Sequence, residues 1–228
     1  MPEVNLLRSS RLRWVLTIML AGSSLMSARL FAAAAPNIAS EPYFLVATPD
    51  LPDPIFQQSV ILVLPSESPL VAGFIINKPT RVTVGEVFRE VDGLKHPDDK
   101  AYFGGPVDYT EPILLMRSDH PPVGATRLAS HLYAATGLGT IAAALTRPLA
   151  SGDQRLMLGR AQWSSDQLHG EILQGAWETL PADIDLIFSA EPAKLWPKLV
   201  QQSHLRQVGV IAQPDPPAGS FGEFLRSP

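Results

Sequence analysis

The sequence predicts an α+β fold, a single compact domain in which a mixed β-sheet is covered by helices. Three observations predict it. Continuous apolar runs of strand length occur at 59–64 and 71–76, each closed by a turn signal. Strand-like segments outnumber helical ones and do not alternate strictly with them. The 22 prolines are scattered singly or in pairs, which favours short elements and many turns over a long-helix bundle.

Taken in order, 43–47 (YFLVA) is the first strand, stopped by Thr48-Pro49. Asp53-Pro54 then has the form of an N-cap with proline at the first helical position, so a single helical turn is expected through Gln57-Gln58. The runs at 59–64 and 71–76 are strands buried on both faces, the second ended by Asn77-Lys78-Pro79. Over 83–91, apolar residues at Val84, Val87, Phe88 and Val91 have helical spacing, with Thr83 and Glu86 as a capping box. A strand at 101–103 runs into Gly104-Gly105-Pro106, and another spans 113–116. Residues 118–123 are a loop, 128–133 fit either strand or turn, and 137–146 is a helix with Ile141, Ala144 and Leu145 inward. Further on, 183–188 alternates polar and apolar residues and is expected as a half-exposed strand. A helix at 193–201 is expected to kink at Pro197, and the last dozen residues have the composition of a frayed tail.

The densest packing signal is 158–177, LGRAQWSSDQLHGEILQGAW, which follows a strand at 155–158. Ser164 and Gln167 have capping-box spacing, and Leu168 and Ile172 recur on one helical face. Trp163 and Trp177 bracket the helix, and with Leu168 and Ile172 they form the expected structural hub.

Composition narrows the function. At 46% hydrophobic and 18% charged the chain is globular, and having no cysteine it has no disulfide, thiolate nucleophile or cysteine-bound metal. Arg8, Arg11 and Arg13 precede a 15-residue apolar run at 14–28 and an A-x-A site at Ala32-Ala33-Ala34. This is the pattern of a cleavable signal peptide over 1–34, leaving a linker at 35–42, a domain at 43–203 and a C-terminal segment at 204–228. The run is shorter than the roughly 20 apolar residues of a membrane span. A periplasmic protein is therefore expected; the alternative is a cytoplasmic chain starting at Met26. Without residues 1–34, which hold four arginines and one glutamate, the chain has 14 basic and 21 acidic residues, a net of −7. With no basic run after Arg13, direct nucleic-acid binding is not expected.

No motif for a catalytic elbow, a dinucleotide site or a phosphate loop is present, and no histidine pair has the spacing of a metal-binding helix. No cofactor or metal is expected. Three loops remain as candidates. Asp53 lies at a helix start, Asn77 and Lys78 at the carboxyl end of a buried strand, and Gly104 and Gly105 at a turn tight enough for close backbone approach. With Gln167 and Glu171, four apart on the polar edge of the hub helix, they define a candidate binding groove. A non-enzymatic module binding a protein or small-molecule partner is the first reading. An enzyme using His120 or Asp53 in that groove is the second, and an intracellular regulator acting through a protein partner the third.

Five segments, FLVATPDLPDPIFQQSVILVL (44–64), GFIINKP (73–79), YFGGPV (102–107), 158–177 and LPADIDLIF (180–188), resemble the YqgE/AlgH family of bacterial proteins in order and spacing. The match departs at Arg160, where the family has an aromatic, and at Asp166 and His169. The resemblance implies a compact α+β fold with no established reaction or cofactor. The transcriptional-regulator label that some members carry is family nomenclature and is not supported by these residues.

Overall fold

Strand β1, Tyr43–Ala47, is buried along its whole length because it has a strand on either edge and packed side chains on both faces. The structure is a computed structural model that describes residues 41–65 and 68–211; of Ser151 and of 207–211 it describes the backbone only. The expected signal peptide, nearly all of the linker and the C-terminal tail lie outside the described residues.

β1 pairs antiparallel with β2 (Val60–Val63), which pairs with β3 (Leu70–Ile75). β4 (Pro79–Thr83) leads into the short helix α1 (Val84–Val87), and β5 (Lys100–Phe103) into the long β6 (Val107–Arg117). A hairpin of β7 (Thr126–Ala129) and β8 (Leu132–Thr136) precedes α2 (Leu138–Leu145) and a 3₁₀ turn at Ser151–Asp153. β9 (Gln154–Ser164), α3 (Ser165–Leu173), β10 (Trp177–Pro181), α4 (Ile184–Ile187) and α5 (Leu195–Ile211) complete the order. The sheet is curled, and its strands run β10-β1-β2-β3-β9-β6-β8-β7. Among the described residues every pairing is antiparallel except β5 with β9, where Tyr102 and Phe103 lie beside Met157 and Leu158. β9 is the spine: its first half pairs with β6 and β5, its second half with β3.

Alternation along the strands sends side chains to two interiors. Phe44, Val46, Leu62 and Phe74 pack with Leu195 and Leu199 of α5, whereas Tyr43, Leu45, Ile61 and Ile75 pack with Leu168 of α3. A third cluster gathers Leu114, Met116 and Leu156 against Ile141, Ala144 and Leu145, the inward face expected of α2. This double-sided burial is why β1 and β2 are continuous apolar runs rather than alternating ones.

Several expectations are corrected. Residues 183–188 are not a strand: Asp183 caps α4 by accepting from the Asp185 amide at 2.9 Å, and Ile187 and Phe188 are buried. The I-D-L-I alternation fits one helical turn as well as a short strand, and the aspartate cap decides it. The strand at 155–158 runs on to Ser164, because the residues after Gly159 continue along β3. The helix expected at 83–91 is one turn long, though its capping box is complete, with the Thr83 amide donating to Glu86 at 2.7 Å and the Glu86 amide to Thr83 at 3.2 Å. Pro197 kinks nothing. It lies in the first turn of α5, where an amide has no intrahelical partner to lose.

Candidate functional site

Ser164 caps α3 as expected, its hydroxyl accepting from the Gln167 amide at 3.1 Å. The Gln167 side chain does not return to the cap, so the expected box is half formed. It donates instead to Glu171 Oε1 at 2.9 Å, one helical turn on. The other oxygen, Glu171 Oε2, accepts both indole N–H groups, from Trp177 at 2.9 Å and Trp163 at 3.1 Å. Three neutral donors thus converge on one half-buried carboxylate. Both indoles are almost fully buried and meet edge to face, with centroids 6.1 Å apart at 87°.

The third ring of this cluster is Phe56, which the sequence reading passed over. It packs at 5.9 Å from Trp163 and 5.8 Å from Trp177. An apolar residue inside the polar turn DPIFQQ was the available signal. Its turn is built by Asp53, whose Oδ1 accepts from the Ile55 amide at 2.7 Å and the Phe56 amide at 3.3 Å, the N-cap expected there. Asn77 closes the other end. Buried, it accepts from the Val60 amide and donates to the Gln58 carbonyl, both at 2.8 Å, and so holds Gln58 at φ 54°. Lys78 spans the turn, its ammonium donating to the Ile55 carbonyl at 2.7 Å. Partial burial pushes the Lys78 pKa below the ordinary lysine value, against an opposing pull from the Asp53 carboxylate.

Gly104 and Gly105 mark a crossing of chains. A Cβ on Gly104 would sit 2.2 Å from the Gly159 carbonyl oxygen, and one on Gly105 2.2 Å from the Arg160 carbonyl carbon. Gly105 has φ 152° and Gly159 φ 72°, so the conformation as well as the contact calls for glycine. The polar groups are used internally: the Gly104 amide donates to the Leu158 carbonyl at 2.8 Å, and its carbonyl accepts from Ile75 at 2.9 Å.

The structure therefore ties Lys78 to the turn that Asp53 caps, and Phe56 joins that turn to the tryptophans and, through them, to Glu171 and Gln167. Asn77 lies beneath that turn, and the Phe103 amide donates to the Lys78 carbonyl at 2.9 Å, whereas the close contacts of Gly104 and Gly105 are with β9. His120 is elsewhere. It lines a cleft of about 470 Å³ with Arg117, Ser118, Asp119, His131 and Asp153, to which none of the groove candidates contributes. There Arg117 is bridged to Asp153 at 2.6 Å and Asp185 at 2.5 Å, and His131 pairs with Asp119 at 2.5 Å. Among the described residues no cluster of three or more carboxylate or imidazole groups is placed to hold a metal ion. Arg160, one of the departures noted above, pairs with Asp108 at 2.6 Å.

The chain is similar to several known proteins. A family model described as AlgH-like (DUF179) matches residues 44–207. A UPF0301 protein of Anaeromyxobacter dehalogenans is 34% identical over 180 residues, covering 75% of this chain and 91% of its own. A second UPF0301 protein, from Methylococcus capsulatus, is 34% identical over 165 residues, covering 71% and 90%. Among solved structures, the AlgH protein of Pseudomonas aeruginosa superposes with a TM-score of 0.58 at 27% identity, covering 75% of this chain and 93% of that one. A protein of Corynebacterium diphtheriae superposes at 0.59, also at 27% identity, covering 84% and 96%.

Proposed function

This chain belongs to the AlgH-like family, and we propose that it is a non-enzymatic binding module. Its contact groups are Asp53, Lys78, Gln167 and Glu171, with Asn77 beneath the turn. The observation that supports this most is the bridge between Glu171 and both indoles, with Phe56 seated on the pair. It couples the 53–58 turn to α3, so a partner contacting the turn is felt at the helix. Half-buried, Glu171 still has acceptor capacity beyond its three donors.

A fragment screen read by protein NMR tests the proposal. Shifts are expected at Phe56, Lys78, Gln167 and the two indole N–H resonances. Shifts confined to His120, His131 and Asp119 would replace it with the enzyme reading.

We further infer export. In support, a positive n-region, an apolar run and an A-x-A site stand in order, and cleavage after Ala34 leaves eight residues before β1. N-terminal sequencing of the native protein is expected to begin at Ala35. A chain beginning at Met26 overturns export and restores the intracellular-regulator reading. Among the described residues no helix is long and apolar enough to cross a membrane.

A further inference from the structure

The geometry points to a second binding site in the cleft at Arg117–His120, one that takes the ammonium group of a small aliphatic amine. This goes beyond the groove reading and shares no residue with it. The cleft's volume of about 470 Å³ falls within the roughly 300–1,000 Å³ of small-molecule sites. Its lining has two chemical characters. Asp119, His120, His131 and Asp153 supply polar atoms, whereas Pro148, Leu149 and Ala150 supply an apolar stretch for an alkyl stem.

Charge decides against an anion. The Arg117 guanidinium donates through Nε to Asp153 at 2.7 Å and through Nη1 to Asp185 at 2.5 Å, and it lies over the Phe188 ring at 5.4 Å. Its charge is therefore already matched by two carboxylates. Arg147 is the other cation bonded to the lining, its guanidinium donating to the His120 carbonyl at 3.4 Å. Against these two stand three carboxylates, Asp119, Asp153 and Asp185, so one negative charge is left over with the imidazoles neutral. An ammonium cancels it, and a carboxylate or phosphate would add to it.

Unused acceptors set the rest of the fit. Arg117 takes only Oδ1 of Asp153 and His131 only Oδ1 of Asp119, which leaves each Oδ2 open among the described residues. Because an ionised carboxylate only accepts, His131 Nδ1 carries the proton of that bond, and Nε2 is then an acceptor as well. An ammonium has three donors and no lone pair, so it meets these atoms without setting acceptor against acceptor. The acceptors are in place beforehand. The Ser118 amide donates to the His131 carbonyl at 3.0 Å and the His120 amide to Ser118 Oγ at 3.0 Å, which ties 118–120 to the β7–β8 turn. These bonds leave little ordering for a ligand to impose.

Titration of the full, isotope-labelled chain with n-butylamine near neutral pH, read by NMR, tests the site. Saturable shifts are expected at Asp119, His120, His131 and Ala150. Asp119→Asn, which keeps the side chain's shape and one oxygen, is expected to weaken binding about threefold, in keeping with a partly exposed ion pair. Asp166→Asn removes the same charge from an exposed position on α3 and should change nothing. n-Butanol and butyrate, which share the stem, are expected to bind about tenfold more weakly than the amine. Shifts that never saturate, or that n-butanol reproduces, overturn the site, as does unchanged affinity in Asp119→Asn. Tighter binding of butyrate overturns its charge preference. Saturable shifts at Phe56 and the indole N–H groups alone would move the amine to the groove, leaving that reading intact and this one refuted. Tighter binding of Nα-acetyl-lysinamide than of butylamine would give the cleft to a lysine of a partner protein in place of a free amine.

Discussion

Tyr43 shows what burial does to one polar atom. Its ring is 6% exposed at the start of β1, and its hydroxyl has no hydrogen-bond partner among the described residues. Burial alone pushes its pKa to about 12. Removing the orphaned hydroxyl in Tyr43→Phe is expected to stabilise the protein by about 1 kcal/mol in urea unfolding at neutral pH. The same shift fixes a pH dependence. Between its ordinary value of 10.0 and about 12, the unfolded chain has released the phenolic proton while the folded chain keeps it. Stability therefore falls as pH rises through that window, by up to about 3 kcal/mol from this group. Tyr43→Phe should lack that share of the alkaline loss, and an equally steep loss in the variant would show that Tyr43 is not its source.

Among the elements, the crossing of the β5–β6 turn over β9 is the least tolerant of change. Gly105→Ala would place a Cβ 2.2 Å from the Arg160 backbone, at a φ of 152° that an alanine rarely adopts. Neither problem can be relieved by turning a side chain, so a loss above about 4 kcal/mol is expected, read as failure to give a cooperative thermal transition. Gly139→Ala is the counterpart in α2. Nothing lies within 4 Å of the added Cβ, and its helical backbone suits alanine, so a gain of about 0.5–1 kcal/mol is expected. Both substitutions add one methyl group, and only the tertiary contact distinguishes them.

Across the whole molecule, Arg155 ties distant parts of the chain together. It is 6% exposed, donates to the Ile76 carbonyl at 2.8 Å and to the Ser189 carbonyl, and stacks over the Tyr102 ring at 4.3 Å. One side chain of β9 thus joins the end of β3, the segment after α4 and β5. Desolvation lowers its pKa, yet it keeps its charge because the guanidinium starts so far above neutrality. Arg155→Ala leaves two carbonyls without this donor and a cavity beneath Tyr102, and is expected to cost about 3 kcal/mol or more. Arg155→Met keeps the packed stem and should cost less. Equal losses for the two, measured by urea unfolding, would mean that packing contributes nothing at this site.

Much of the local structure was legible because it is written in neighbouring residues. The Thr83–Glu86 box, the Ser164 and Asp53 caps, the inward face of α2 and the buried character of β2 and most of β3 all follow from patterns a few residues long. Where a short pattern fits two structures, as at 183–188, local reading failed, and the Asp183 cap and core burial chose the helical turn. Sequence by itself determined the family, the many short elements and the residue types at the candidate groove. Tertiary structure alone decided that β9 would serve three partners, that Glu171 would take both indoles, and that His120 would stand apart from Asp53. The reason is that strands pair through backbone groups every residue possesses, so side-chain order marks where a strand lies without naming its neighbour. Which side chains then meet across the curled sheet is settled by that pairing.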